Sequence, residues 1–97
     1  MGLQTKQEQI KRLKREIREE AQAKALLAGE NIRVARKRKG ITQEDLAELM
    51  GLTRVQVTNI ETGRSQLTMP NLMILCDILE STPNALLGFN KSGESDE

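Results

Sequence analysis

The side chains with the clearest recognition chemistry lie in residues 41–64, which read ITQEDLAELMGLTRVQVTNIETGR. Apolar residues recur at helical spacing on both sides of Gly51, which predicts two short helices joined by a glycine turn. The second helix has an apolar inward stripe and an outward face of small or polar side chains. A helix pair of this kind is typical of units that place side chains in the major groove of DNA.

The composition excludes most kinds of catalytic and metal-binding site. The 97 residues include no histidine, tryptophan or tyrosine, one phenylalanine and one cysteine, whereas zinc and iron sites use several Cys or His ligands. No Ser/His or Cys/His set can be assembled, no carboxylate pair has a pocket-like context, and no glycine-rich phosphate loop is present. We predict that the protein is not an enzyme, with no catalytic or metal-binding residues and no cofactor.

The cysteine and the apolar runs indicate where the protein acts. Cys76 lies in LMILCDILE, where helical spacing favours a small core residue, and a lone cysteine forms no internal disulfide. No apolar run approaches the ~20 residues that span a bilayer, and the polar N-terminus lacks the apolar core of a signal peptide. We therefore expect a soluble, cytoplasmic protein with no membrane partner.

The net charge of +1 conceals a strong asymmetry along the chain. Residues 1–39 carry twelve basic and five acidic residues, a net +7, whereas residues 40–97 carry three basic and nine acidic residues, a net −6. The distribution of charge, rather than its total, sets the local field. A basic N-terminal part fits contact with phosphates and fits a solvated helix equally well, so charge alone leaves both interpretations open.

Residues 3–28 contain neither glycine nor proline and are rich in good helix formers, which predicts an amphipathic helix that ends or bends at Gly29. Lys6, Glu20 and Lys24 interrupt its apolar stripe where a coiled coil would have apolar residues. Such a helix is stable only if the stripe meets a partner. The stripe consists of Leu3, Ile10, Leu13, Ile17 and Leu27.

Start and stop signals divide the following part of the chain into five short helices, the first over residues 31–39 with Gly40 as its stop. Nothing alternates like a β-strand, so the predicted fold is all-α. Residues 90–97 are polar and are predicted to form a disordered acidic tail. Each later helix begins at a threonine with a capping partner or an early proline: Thr42 with Asp45, Thr53 with Gln56, Thr68 with Pro70, and Thr82 with Pro83.

The segments GITQEDLA (40–47), GLT (51–53) and VTNIETG (57–63) together resemble the lambda-repressor/Cro-type, or XRE, helix-turn-helix family. The resemblance covers about residues 30–88 and implies a five-helix, lambda-repressor-like DNA-binding domain. The N-terminal amphipathic helix is additional to that domain. The predicted organisation is therefore a basic helical extension at 1–29, the DNA-binding domain at 30–89 and the tail at 90–97.

The resemblance implies that the start of the second motif helix meets base edges of double-stranded DNA. Arg54 suits bidentate donation to guanine, and Val55 suits packing on a thymine methyl group. Asn59 suits a pair with adenine or a phosphate contact. The predicted base-reading residues are Arg54, Val55, Thr58 and Asn59.

The resemblance also places Gln43 on the DNA backbone, at a helix N-terminus whose free N–H groups favour anions. By the same resemblance, Arg36 and Glu61 form a structural ion pair inside the fold and do not contact DNA. The other predicted phosphate contacts are Thr53, Gln56, Arg64, Arg38 and Lys39.

These expectations describe a sequence-specific transcriptional regulator, a repressor that binds a palindromic operator as a homodimer. The N-terminal helix leaves three roles open: dimerisation through Ile10, Leu13 and Ile17, contact of its basic residues with DNA, or binding of another protein through residues 3–28. The third role would make the chain an antitoxin or a bridging adaptor, with DNA binding for autoregulation.

Overall fold

The computed structural model describes the backbone of residues 2–89 and the side chains of residues 5–89. This part of the chain contains no strand, and the predicted all-α, lambda-repressor-like fold is confirmed. None of its helices is long and apolar enough to cross a membrane. The predicted tail at 90–97 lies outside the described residues. The five helices are α1 (Gly2–Lys39), α2 (Gln43–Met50), α3 (Arg54–Glu61), α4 (Met69–Leu79) and α5 (Pro83–Leu87).

A single apolar core holds the five helices together. Helices of five to eleven residues are unstable alone, so α2 to α5 depend on the surfaces that they share with one another and, for α3 to α5, with α1. Burial of one large aliphatic side chain contributes roughly 1.5–3 kcal/mol. Each helix supplies one such almost fully buried side chain: Ile32, Leu46, Val57, Leu75 and Leu86.

The helix is predicted to end or bend at Gly29, and an end there is wrong, because α1 runs through this residue from Gly2 to Lys39. Gly29 is buried where α1 crosses the end of α3. A Cβ atom on Gly29 would lie 2.6 Å from the carbonyl oxygen of Ile60 and still closer to that of Glu61. The glycine lets two backbones approach each other, and the predicted additional helix is continuous with the first helix of the domain.

The packing of α1 on the domain begins before residue 30, although the predicted domain boundary itself stays a prediction. The side-chain amide of Gln22 donates a hydrogen bond of 3.2 Å to the carbonyl oxygen of Gly63. From about this residue onward, the predicted extension is attached to the folded domain. Three further contacts also attach this part of α1 to the domain: Leu26 with Gly63, Leu27 with Gly88, and the ammonium of Lys24 with the Phe89 ring, 4.8 Å from its centroid.

Residues 5–20 of α1 are exposed throughout. Ile10 is 50% exposed, and Leu13 and Ile17 are each 56% exposed, so no described residue covers this part of the predicted stripe. The side chain of Leu3 lies outside the described residues. The stripe therefore remains available for a partner.

Candidate nucleic-acid interface

Reciprocal hydrogen bonds fix the first turns of α2 and α3, as the sequence predicts. The Thr42 hydroxyl accepts the Asp45 N–H at 3.0 Å, and the Asp45 carboxylate accepts the Thr42 N–H at 3.0 Å. Thr53 and Gln56 form the same pair of bonds at the start of α3, at 3.1 and 2.8 Å. Between the helices, Gly51 has a left-handed φ of 71° that a residue with a Cβ rarely adopts. The two capping boxes and the Gly51 turn together fix the orientation of α3 relative to α2.

The capping carboxylate of Asp45 makes a pH-dependent contribution to stability. The backbone and hydroxyl of Thr42 both bond to this carboxylate and lower its pKa. A lowered folded-state pKa stabilises the protein above the unfolded-state value, and the stabilisation disappears as the pH falls through the folded-state pKa. We expect Asp45→Asn to destabilise the protein at neutral pH, with the difference from wild type shrinking from about pH 4 downward as the pH falls through the folded-state pKa. Chemical denaturation across pH 2–7 measures this difference, and a constant difference would contradict the assignment.

α3 has a buried face and an open face. Val57, Ile60 and Glu61 are buried, whereas Arg54 and Val55 have about two thirds of their side chains exposed. The other two predicted base-reading residues, Thr58 and Asn59, are half-buried one turn later. Of the four predicted base-reading residues, Arg54 and Val55 are therefore the more exposed.

Arg36 and Glu61 form a bidentate ion pair that joins α1 to α3. Arg36 Nε donates to Glu61 Oε2 at 2.7 Å, and Nη2 donates to Oε1 at 3.2 Å. A third donor, Nη1, bonds to the carbonyl oxygen of Ile41 at 2.9 Å. The two side chains are only 8% and 1% exposed, so this pair is part of the interior and is not available to a ligand.

Gln43 connects this ion pair to the outward side of α3. Its amide nitrogen donates to Glu61 Oε1 at 3.0 Å, and its amide oxygen accepts the Thr58 hydroxyl at 3.2 Å. The sequence predicts only a phosphate contact for Gln43 and gives no sign of these two hydrogen bonds. No local pattern predicts them, because the two partners lie 15 and 18 residues away in the chain. The network holds Thr58 in place and uses one of the two amide hydrogens of Gln43, so the second can donate to another acceptor.

The Arg54 side chain lies beside the start of α2. Its guanidinium is 3.6 Å from the Glu44 carboxylate, and both side chains are largely exposed, at 64% and 73%. An exposed pair of this kind contributes at most about 1 kcal/mol. Arg54 can therefore leave Glu44 for a stronger anionic or hydrogen-bonding partner at little cost.

Lys37 is not among the predicted phosphate contacts, yet it lines a groove between α1 and the helix pair beside Gln43 and Arg54. Of the neighbouring bases that were predicted to contact phosphate, Arg38 lines a different groove beside α5. Lys39 forms an ion pair of 3.0 Å with Glu80. Each residue of a helix is rotated by about 100° about the helix axis from the one before it, so Lys37 lies on a different side of α1 from Arg38 and Lys39. This rotation is the signal in the sequence that distinguishes Lys37 from the other two.

The remaining predicted phosphate contacts lie at the two ends of α3. Thr53 is exposed at the N-terminal end, where Gln56 uses its amide oxygen in the cap and keeps its amide nitrogen for other acceptors. Arg64 is exposed in the turn after α3, and its N–H donates to the Asn59 carbonyl at 2.8 Å. The predicted contacts thus flank the exposed pair Arg54 and Val55.

Two capped helices joined by a glycine turn, with one exposed polar face, define a helix-turn-helix DNA-binding domain. Comparison with known families agrees, since the family model for "Helix-turn-helix" matches residues 32–86, more than half of the chain. The chain belongs to the XRE, or lambda-repressor-like, helix-turn-helix family. This is a family of DNA-binding transcriptional regulators and not of enzymes.

Individual relatives support the assignment. The chain is 36% identical over 66 residues to the HTH-type transcriptional regulator DicA of Escherichia coli (strain K12), which covers 68% of this chain and 49% of DicA. The chain thus spans about half the length of that relative. The controller protein C.AhdI of a restriction-modification system from Aeromonas hydrophila is 34% identical, with a TM-score of 0.62 over 67% of this chain and 94% of C.AhdI. The P22 c2 repressor, solved in complex with a synthetic operator, is 31% identical, with a TM-score of 0.62 over 66% of this chain and 97% of that protein.

Proposed function

We propose that the protein represses transcription by binding a palindromic operator as a symmetric homodimer, with α3 of each protomer in the major groove. The observation that carries this proposal is the exposed pair Arg54 and Val55 at the start of a rigidly capped helix. Solved relatives support it, since one of them is a repressor in complex with operator DNA. Such a regulator acts in the cytoplasm, where its operator is found.

Each residue of the open face has a role that its chemistry suits. Arg54 donates two hydrogen bonds to the O6 and N7 atoms of a guanine, after leaving Glu44. Val55 packs on a thymine methyl group, and Asn59 bonds to adenine or to a nearby phosphate. Thr58 contacts the DNA from a position that Gln43 fixes.

Phosphate contacts hold the domain in register without reading sequence. Gln43 donates its second amide hydrogen to a phosphate at the N-terminus of α2, where free N–H groups and the helix dipole also favour an anion. Thr53, Gln56 and Arg64 bind phosphates at the two ends of α3. Lys37 adds a positive charge in the groove beside Gln43.

Dimerisation follows from how little sequence one domain can read. A single recognition helix contacts only a few base pairs, which is too little information to select one site in a genome. Two domains on half-sites about one helical turn apart read enough base pairs to select one site. The free energy of specific binding then exceeds that of non-specific binding by roughly 4–10 kcal/mol. Repression follows because the bound dimer blocks access of polymerase to the overlapping promoter.

A second candidate function is that of an antitoxin or bridging adaptor that binds another protein through the N-terminal part of α1. The exposed side chains of Ile10, Leu13 and Ile17 favour it, because no described residue covers them. Substituting all three by glutamine in the full chain separates the roles of this stripe. If sedimentation then finds only monomer, the stripe is the homodimer interface and this candidate is rejected.

Selection of bound duplexes from a random pool, followed by footprinting of the selected site, tests the proposed function. We expect an inverted repeat whose half-sites are about 10 base pairs apart, protected on one face of the duplex. A selected site without two-fold symmetry would reject the symmetric dimer. Recovery of no preferred sequence would reject sequence-specific binding altogether.

A further inference from the structure

The N-terminal part of α1 carries a row of basic side chains that the contacts assigned above leave unused. Lys11, Arg15 and Arg18 are exposed and recur at spacings of four and three, so they lie on one face of the helix. Among the residues whose side chains are described, no ion pair within 4.0 Å involves any of the three. Three further charged side chains lie beside them on the same exposed part of α1: Glu8, Arg12 and Lys14.

The face that carries this basic row continues along α1 to the end of α3. The next residues on it, at spacings of four, four and three from Arg18, are Gln22, Leu26 and Gly29. All three contact the C-terminal end of α3 or the Gly63 turn that follows it. Because α1 is one unbroken helix, the basic row faces the side of the molecule on which α3 ends.

The basic row lies near the end of α3, beside which the proposed complex would place the flanking DNA. At 1.5 Å per residue, Arg18 and Lys11 lie about 6 and 16 Å along α1 from Gln22, which contacts the Gly63 turn. A duplex with α3 in its major groove continues past this turn, where Arg64 is exposed. Its backbone carries one negative charge per about 1.7 Å of helix axis. An unpaired row of cations is complementary to this charge.

We propose that Lys11, Arg15 and Arg18 bind the phosphate backbone of the DNA that flanks the half-site contacted by α3. This inference rests on the proposed function and adds to it a requirement for DNA outside the sequence that α3 reads. The flanking contact is independent of base sequence, so it raises affinity and site length without altering base preference. It also gives the exposed part of α1 a ligand that does not involve the apolar stripe.

The test uses the full chain and two duplexes, one that ends at the selected operator and one extended by about ten base pairs of unrelated sequence at each end. Arg15→Gln is compared with Lys6→Gln, which removes the same charge from the same exposed segment. The two positions are nine residues apart and therefore lie on opposite sides of α1. Affinity is measured for both duplexes between 50 and 200 mM salt.

We expect wild type and Lys6→Gln to bind the extended duplex more tightly than the short one, and Arg15→Gln to lose most of that gain. Each phosphate contact contributes about 0.9 to the slope of log affinity against log salt. The wild-type advantage over Arg15→Gln should therefore shrink roughly 3- to 4-fold per protomer between 50 and 200 mM salt.

Two results would overturn the inference while leaving the proposed function intact: no gain from flanking DNA in the wild type, or equal losses for Arg15→Gln and Lys6→Gln. If wild type selects no DNA sequence at all, the proposed function fails and the inference fails with it.

Discussion

Glu61→Gln is expected to lower the free energy of unfolding by about 3–5 kcal/mol, because it leaves the buried guanidinium of Arg36 without a charged partner. The Arg36 side chain is 8% exposed, so water cannot replace the lost carboxylate. The substitution also alters the hydrogen bond from Gln43, and through it the position of Thr58. Urea denaturation followed by circular dichroism measures the loss.

Two further variants show whether burial is the cause. Glu44→Gln removes a carboxylate from the exposed pair with Arg54 and should change stability by at most about 1 kcal/mol. Replacing both Arg36 and Glu61 by methionine should recover much of the loss, because no unpaired buried charge remains. A loss of under about 1 kcal/mol for Glu61→Gln itself would mean that the pair contributes no more than a surface ion pair.

The second large effect is expected at Gly29, where the packing and the helix propensity predict opposite signs. Alanine at a helical position is favoured over glycine by about 1 kcal/mol, so propensity alone predicts that Gly29→Ala stabilises the protein. The new Cβ would instead meet the backbone carbonyls of Ile60 and Glu61, which cannot move as a flexible side chain can. Overpacking typically costs about 1–3 kcal/mol, and more where the neighbouring atoms cannot move, so we expect a net loss of stability in thermal or chemical unfolding.

Gly40→Ala is the matched control for a glycine substitution. Gly40 has a left-handed φ of 75°, and nothing lies within 4 Å of an added Cβ, so only backbone strain of about 1–2 kcal/mol is expected. If Gly29→Ala is more stable than wild type, the close crossing of α1 and α3 is wrong.

Local signals in the sequence predict the helix starts correctly. A threonine followed three residues later by Asp45 or Gln56 predicts a capping box, because both hydrogen bonds close within one turn. The four predicted N-caps, Thr42, Thr53, Thr68 and Thr82, are all observed. The buried stripe of α3 is equally local, since helical period alone separates Val57 and Ile60 from the exposed Val55.

What the sequence does not predict depends on contacts between distant segments. Glycine both ends helices and allows helices to cross closely, and nothing around Gly29 in the sequence distinguishes these two uses. The attachment of Gln22 to Gly63 and the bridging position of Gln43 join residues that are 15 to 41 positions apart. Only the assembled fold brings such pairs together. The sequence alone therefore predicts a separate extension at 1–29 and, for Gln43, a phosphate contact only.

The claim that the open face of α3 reads bases is tested most directly with Arg54→Ala. Its affinity is measured for the selected operator and for every single-base-pair variant of one half-site, beside the wild type. We predict a loss of about 1–3 kcal/mol on the operator and a relaxed preference at one base-pair position, with the other positions unchanged. An equal loss on all sequences, with every base preference kept, would contradict the account and make Arg54 a phosphate contact.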